Sequence, residues 1–179
     1  GSVTVPARTV AVFTQAAGDR IDPTVTPDPA AAQWVASGDG RWWLRYPDGS
    51  YPANERVVRD GVTYSFDANG WMKTGWQVED GAWRYYAPSG AMATGWTAVG
   101  GTWYYLDPDT GAMATGWLKD GDTWYYLHDS GAMATGWVNL SGAWFYLNGN
   151  GSMATGWANL GGTWYYLTES GQMAIGWVK

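Results

Sequence analysis

Six evenly spaced Gly-Trp pairs punctuate the chain: Gly75-Trp76, Gly95-Trp96, Gly116-Trp117, Gly136-Trp137, Gly156-Trp157 and Gly176-Trp177. They recur at steps of 20, 21, 20, 20 and 20 residues. Seven residues after each of the first five comes a second Trp, at 83, 103, 124, 144 and 164. That second Trp opens an aromatic run such as Trp103-Tyr104-Tyr105-Leu106. The chemistry such rings offer is that of their faces. A ring face is the negative end of a quadrupole, so it attracts a cation that cannot donate a hydrogen bond, and it stacks on flat apolar surfaces. With 15 Trp and 12 Tyr but only 3 Phe among 179 residues, most of the aromatic mass also carries a polar edge.

Other chemistries are poorly supplied. The single His128 falls in a turn. Asp107, Asp109, Asp129 and Glu169 also fall in turns, where such residues serve local backbone bonding. No carboxylate pair recurs from unit to unit, and no loop has calcium-ligand spacing. Without Cys there is neither thiolate nor disulfide chemistry. The expectation is a chain with no catalytic set, no metal site and no cofactor. A net charge of -6 argues against nucleic acid, which asks for a basic stripe. No run of about 18 apolar residues is present to insert in a membrane.

The elements that position these rings read as β-hairpins. Trp-Tyr-Tyr-Leu is rich in strand formers. The segments that follow, Asn148-Gly149-Asn150-Gly151 and Thr168-Glu169-Ser170-Gly171 among them, are turn formers. The expected hairpin joins the aromatic strand through that turn to a short Ala-Met-Ala-Thr strand, and Gly-Trp then begins the connection to the next. A lone hairpin is marginal in water, but stacked neighbours bury one another's faces. The fold class expected is all-β, a solenoid of tandem β-hairpins with repeats of about 20 residues. The residue three after the strand Trp is Tyr86, Leu106, Leu127, Leu147 or Leu167, never polar, and is assigned to the interior.

A worn repeat precedes the regular ones. It has Arg56 at the Gly-Trp position, Thr63 at the strand Trp position and Ser65 where later units have their second Tyr. It keeps Phe66, Gly70 and Met72. Joint loss of three rings suggests that they share a site. A residue and the one two later share a strand face, which groups the two Trp with the second Tyr. Upstream, residues 40–49 read as one more hairpin. Residues 1–35, with Pro6, Pro23, Pro27 and Pro29, read as a linker or the tail of an upstream domain, with a strand over residues 9–13. The division expected is 1–35 linker, 36–75 degenerate capping repeats and 76–179 regular array.

The run Thr-Gly-Trp-x-x-x-x-Gly-x-Trp-Tyr-Tyr-Leu-x-x-x-Gly-x-Met-Ala-Thr-Gly-Trp resembles the choline-binding, or cell-wall-binding, repeat of bacterial surface proteins and cell-wall hydrolases. The likeness is close from Trp76 to Trp177, weaker from Arg41 to Gly75, and absent over 1–35. The resemblance implies a left-handed solenoid. It also implies sites between consecutive hairpins, each made of two Trp from one and an aromatic from the next, with a Met nearby. Carried over, the sets are Trp76, Trp83 and Tyr105; Trp96, Trp103 and Tyr126; Trp117, Trp124 and Tyr146; and Trp137, Trp144 and Tyr166. Trp157 and Trp164 make an incomplete fifth. Strand parity selects the second Tyr of each pair, and the first Tyr is the alternative. No site is expected at Arg56, Thr63 and Ser65. Arg84, at a first-Tyr position, lies off the site by that parity.

The resemblance implies choline, or a choline-bearing cell-wall polymer such as teichoic acid, as partner. It implies a secreted module held at the bacterial cell surface. Glucan is the nearest rival, since rings also stack on sugars. A sugar site needs recurring polar partners, and Asn139 and Asn159 recur while Val78, Ala98 and Lys119 stand at the same position. A spacer or protein-interaction array, with a dimer through the C-terminal repeats, is the alternative of a different class.

Overall fold

A computed structural model describes residues 27–176. The strand expected at residues 9–13 lies outside them. Among the described residues, fourteen strands are joined in chain order into seven antiparallel two-stranded sheets. The only helical segment among the described residues is one 3-10 turn, Pro29–Ala31, opened by Asp28, whose carboxylate accepts the Ala30 amide. The all-β, tandem-hairpin expectation is met.

The hairpins are β1 (Gln33–Ala36) with β2 (Trp42–Arg45), β3 (Arg56–Arg59) with β4 (Val62–Ser65), and β5 (Gly75–Glu79) with β6 (Ala82–Tyr86). They continue with β7 (Gly95–Val99) and β8 (Thr102–Leu106), β9 (Gly116–Asp120) and β10 (Thr123–Leu127), β11 (Gly136–Leu140) and β12 (Ala143–Leu147), and β13 (Gly156–Leu160) and β14 (Thr163–Leu167). The pairing differs from the expectation. Gly-Trp opens the first strand instead of a connection, and it pairs with the aromatic strand that follows. Trp96 lies opposite Tyr105 and Ala98 opposite Trp103. The Ala-Met-Ala-Thr segment forms only single bridges, such as Leu127 to Met133 and Leu147 to Met153.

The reason lies in the turns. Gly100-Gly101, Ser141-Gly142 and Gly161-Gly162 have positive φ at both residues. Two-residue turns of that kind match the right-handed twist of paired strands. They fix a five-residue ladder on each side, which outcompetes the shorter Met segment. Upstream, Trp42–Arg45 pairs back to Gln33–Ala36, so the hairpin expected at 40–49 begins earlier. Ala32 and Trp34, from the stretch read as linker, belong to a core with Leu44, Tyr46, Val57 and Phe66.

Two compact units divide the chain. Among the described residues, one runs to Glu79 and takes in Tyr85–Met92; the other holds Asp80–Arg84 and resumes at Ala93. In the second unit Leu106, Leu127, Leu147 and Leu167 are fully buried, as their constant apolar character required. The Met segments lace neighbouring hairpins together there. The Met133 amide donates to the Trp103 carbonyl of the preceding hairpin (2.8 Å), and the Ala134 amide to Tyr126 of its own (2.8 Å). Met153 and Ala154 do the same to Trp124 and Tyr146, and Met173 and Ala174 to Trp144 and Tyr166. In the first unit the half-buried carboxylate of Glu79 fills the space beside Ser65, accepting from Ser65 Oγ (2.5 Å), Lys73 Nζ (2.8 Å) and Tyr86 Oη (2.7 Å).

Candidate functional site: aromatic cages between hairpins

Hairpin register sets the first part of the cage. Trp137 lies opposite Tyr146, and Asn139 opposite Trp144. Trp137 and Asn139 share one face of the sheet, as do Trp144 and Tyr146. The two indoles therefore stand together on one face, 6.3 Å between centroids and nearly perpendicular (87°). Phe145 lies between Trp144 and Tyr146 and points to the other face.

Stacking apposes opposite faces of successive hairpins. The ring reaching Trp137 from the next hairpin is Tyr165, at 4.9 Å and 70°. Trp137, Trp144, Tyr165 and Met173 line an open pocket of about 270 Å³. The same contacts recur within the second unit. Trp117 meets Phe145 at 4.9 Å with Trp124 at 6.3 Å, and Trp96 meets Tyr125 at 4.7 Å. Each cage Met is tied by its amide to the strand Trp of that cage, with Met133 on Trp103, Met153 on Trp124 and Met173 on Trp144. Trp83 likewise accepts from the Met113 amide.

The second Tyr of each strand stands elsewhere. Tyr105, Tyr126, Tyr146 and Tyr166 pack on the Gly-Trp ring of their own hairpin, Trp96, Trp117, Trp137 and Trp157, at 5.2–5.3 Å. At Trp96, Trp117 and Trp137 it is thus the first ring of the next strand, and not the second Tyr of the carried-over sets, that takes the inter-hairpin place. Parity grouped the rings of one hairpin correctly. It misidentified the ring arriving from the next, because that hairpin presents its opposite face. Trp76 packs on Tyr85 of its own strand pair (5.1 Å). Trp157 and Trp164 are 62% and 63% exposed, more open than Trp144 at 42%. Met173, which the carried-over sets did not number, lines the pocket, and the retained Met of Gly-x-Met was the signal for it.

The cage walls are aromatic rings and a thioether, with no charged side chain in the Trp137 pocket. Around Trp96 the indole N–H donates to Asp120 Oδ2 (2.9 Å), which puts a carboxylate at the edge of that ring. The recurring Asn residues are committed to turns: Asn139 Oδ1 accepts the Gly142 amide (3.1 Å) and Asn159 Oδ1 the Gly162 amide (3.0 Å). They are local braces for the hairpin ends.

The sequence matches the choline-binding repeat family over residues 55–94, 93–135 and 134–178, more than half of the chain. The chain belongs to that family. Among solved structures it is similar to choline-binding protein F of Streptococcus pneumoniae, solved with a peptidoglycan analogue, at 42% identity and a TM-score of 0.73, covering 79% of this chain and 51% of that one. CbpJ of S. pneumoniae is similar at 44% identity and a TM-score of 0.73, with the same coverage. A pneumococcal cell-wall endolysin from phage Cp-1, complexed with choline, is similar at 37% identity and a TM-score of 0.52, covering 76% of this chain and 40% of that one. This choline-binding repeat chain spans about half the length of the first two or less than half of the third. No curated protein sequence matches it.

Proposed function

We propose that this repeat array binds choline groups of a bacterial cell-wall polymer in the cages between consecutive hairpins, and so holds its parent protein at the cell surface. The observation that carries the reading is the Trp137, Trp144, Tyr165 and Met173 pocket, three ring faces and a sulfur with a single hydroxyl among them. A trimethylammonium group is weakly hydrated for a cation and has no proton to donate. Ring faces can replace its water, whereas a sugar's hydroxyls would be left without partners. The second cage has Phe145 as its third wall, so a hydroxyl there is dispensable. Asp120 adds an attractive charge to the first. In each case the ligand residues proposed are the two Trp, the first ring of the next hairpin's aromatic strand, and the following Met.

Each face contributes about 0.5–2 kcal/mol, so one cage is a weak site, on the order of millimolar for free choline. Repetition against a polymer raises the effective affinity by about 10²–10⁴. Titration with choline chloride, followed by Trp fluorescence and thermal melting, tests the reading. Binding to the folded form alone must raise the melting temperature. Choline is expected to do so at millimolar concentration and dextran is not; an equal response to dextran, or none to choline, overturns it.

A further inference from the structure

Trp34 and Trp42 lie upstream of the matched repeats and have no Gly-Trp motif. Their register nevertheless reproduces the cage. Trp42 lies opposite Ala36, two residues after Trp34, as Trp144 lies opposite Asn139, two residues after Trp137. The Ser37 amide donates to the Arg41 carbonyl (2.8 Å), so the turn holds one residue more than in the array and the two Trp stand eight residues apart instead of seven, which hides the correspondence in the sequence. From the next hairpin comes Tyr64, at the first-ring position of its strand. It meets Trp34 at 4.9 Å and 66°, against 4.9 Å and 70° for Tyr165 on Trp137. The following Met closes the set: the Met72 amide donates to the Trp42 carbonyl (2.8 Å), as Met173 does to Trp144 (2.7 Å). Trp34, Trp42, Tyr64 and Met72, with Pro88 and Ser89 as an added wall, line a pocket of about 340 Å³. Trp42 is 43% exposed, as open as Trp144.

We infer that Trp34, Trp42, Tyr64 and Met72 form a further site for a quaternary ammonium group, in a region whose sequence reads as a worn cap. The inference rests on the cage reading above, and it extends that reading to residues that no repeat motif marks. Arg41, beside Trp42 in sequence, does not bring a free positive charge to the pocket. Its guanidinium sits over the Trp71 ring (3.9 Å) and pairs with Asp39 (2.6 Å). The worn junction supplies a built-in contrast. Met92 donates its amide to Thr63, where the other cages have Trp, so its methyl has no strand indole beside it of the kind that flanks Met72.

Methionine methyl NMR on the full chain reads each junction separately, because the six Met are at 72, 92, 113, 133, 153 and 173. On addition of choline chloride the Met72 methyl is expected to shift over the same millimolar range as Met133, Met153 and Met173, while Met92 stays still. In Trp42→Ala the Met72 response is lost and the other three remain. Protection of the Met72 amide against exchange in that variant shows that its bond to the residue 42 carbonyl, and hence the local fold, is kept. Tyr64→Leu, which retains an apolar side chain, is expected to weaken the Met72 response at least twofold. If Met72 stays still while Met133, Met153 and Met173 saturate, this site is refuted and the cage reading stands. If none of them moves, both fall.

Discussion

Phe145 shows what the third wall of a cage must supply. It stands where Tyr125 and Tyr165 stand in neighbouring junctions, at the same distance from its Trp, without a hydroxyl. The common element is a ring face. The opposite case is Arg84, the one first-ring position of the later strands held by a charged residue. Its Nε donates to the Thr110 carbonyl (2.8 Å) and the side chain is buried. In sequence it follows the one hairpin that has Arg56 and Thr63 at both Trp positions, so first ring and Trp pair are lost in consecutive repeats. Ser65 in that same hairpin faces Arg56, as Tyr105 faces Trp96, so the second ring follows the Trp of its own hairpin. That pattern was present in the sequence. What concealed its meaning was the stacking face, which no residue spacing within one strand specifies. The two rings of one strand should therefore separate by experiment. Tyr165→Leu is expected to weaken choline binding at the Met173 junction roughly 2- to 30-fold, the worth of one ring face. Tyr166→Leu should leave that junction within about twofold, because Tyr166 packs on Trp157. Equal losses at Met173 in both variants would contradict the assignment. At Trp96, Asp120→Asn should lower affinity at the Met133 junction by roughly two- to fivefold at low salt and less at high salt, since the charge acts across solvent-exposed space.

At the scale of the hairpin, two turn glycines carry different burdens. Gly151 has φ of 85°, and a Cβ there would collide with the Met133 sulfur. Gly149, two residues earlier, has open space around it and no positive φ. Gly151→Ala is expected to cost about 1–2 kcal/mol from the backbone alone and to displace the Met133 methyl from its cage. Gly149→Ala should cost under about 0.5 kcal/mol. Urea unfolding with the Met133 methyl resonance checks both. Where the worn hairpin has Ser65 in place of a ring, Glu79 and Tyr86 of the next hairpin form a titratable brace against it. Burial pushes the Glu79 carboxyl up, but bonds from Lys73, Ser65 and Tyr86 outweigh it and hold the pKa below the usual range. Burial, and then the Glu79 carboxylate, push Tyr86 up to about 12. A raised pKa gives stability that is full below the unfolded value near 10 and is lost as pH rises to about 12. Glu79 acts oppositely, its contribution being present above about 4.5 and lost in acid. The stability gap between wild type and Tyr86→Phe should thus close between pH 10 and 12, by at most ~3 kcal/mol. A gap constant over that range would deny the coupling. The sequence disclosed the repeat length, the strand chemistry of Trp-Tyr-Tyr-Leu and the buried Leu. It misleads on which segments pair, because Asn148–Gly151 is the richer in turn residues, while the pairing is set by the positive φ of the two-residue turns at Gly100-Gly101 and Ser141-Gly142. It also concealed β1, whose Trp34 has none of the flanking residues that mark the other rings.

On the scale of the molecule, the number of cages should govern attachment more than the strength of any one. Within the second unit three junctions, at Trp96, Trp117 and Trp137, each have a strand Trp and a first ring from the next hairpin. Their strand indoles Trp103, Trp124 and Trp144 are 47%, 41% and 42% exposed, so truncation removes an open cage wall while the fully buried Leu106, Leu127 and Leu147 stay in place. Successive replacement by Ala, giving W103A, then W103A with W124A, then all three, should change two measurements differently. Against free choline, each step removes one weak site, and the affinity of the sites that remain stays the same. Against a surface densely coated with choline, each site lost removes one intramolecular rebinding step. Retention should fall steeply, toward the ~10²–10⁴ that multivalency contributes in total. Surface plasmon resonance on choline-coated chips, beside calorimetry with free choline, reads the two series. Proportional losses in both would mean that the cages act one at a time, and the repetition would then have to be explained by the stacking that stabilises the hairpins instead of by attachment.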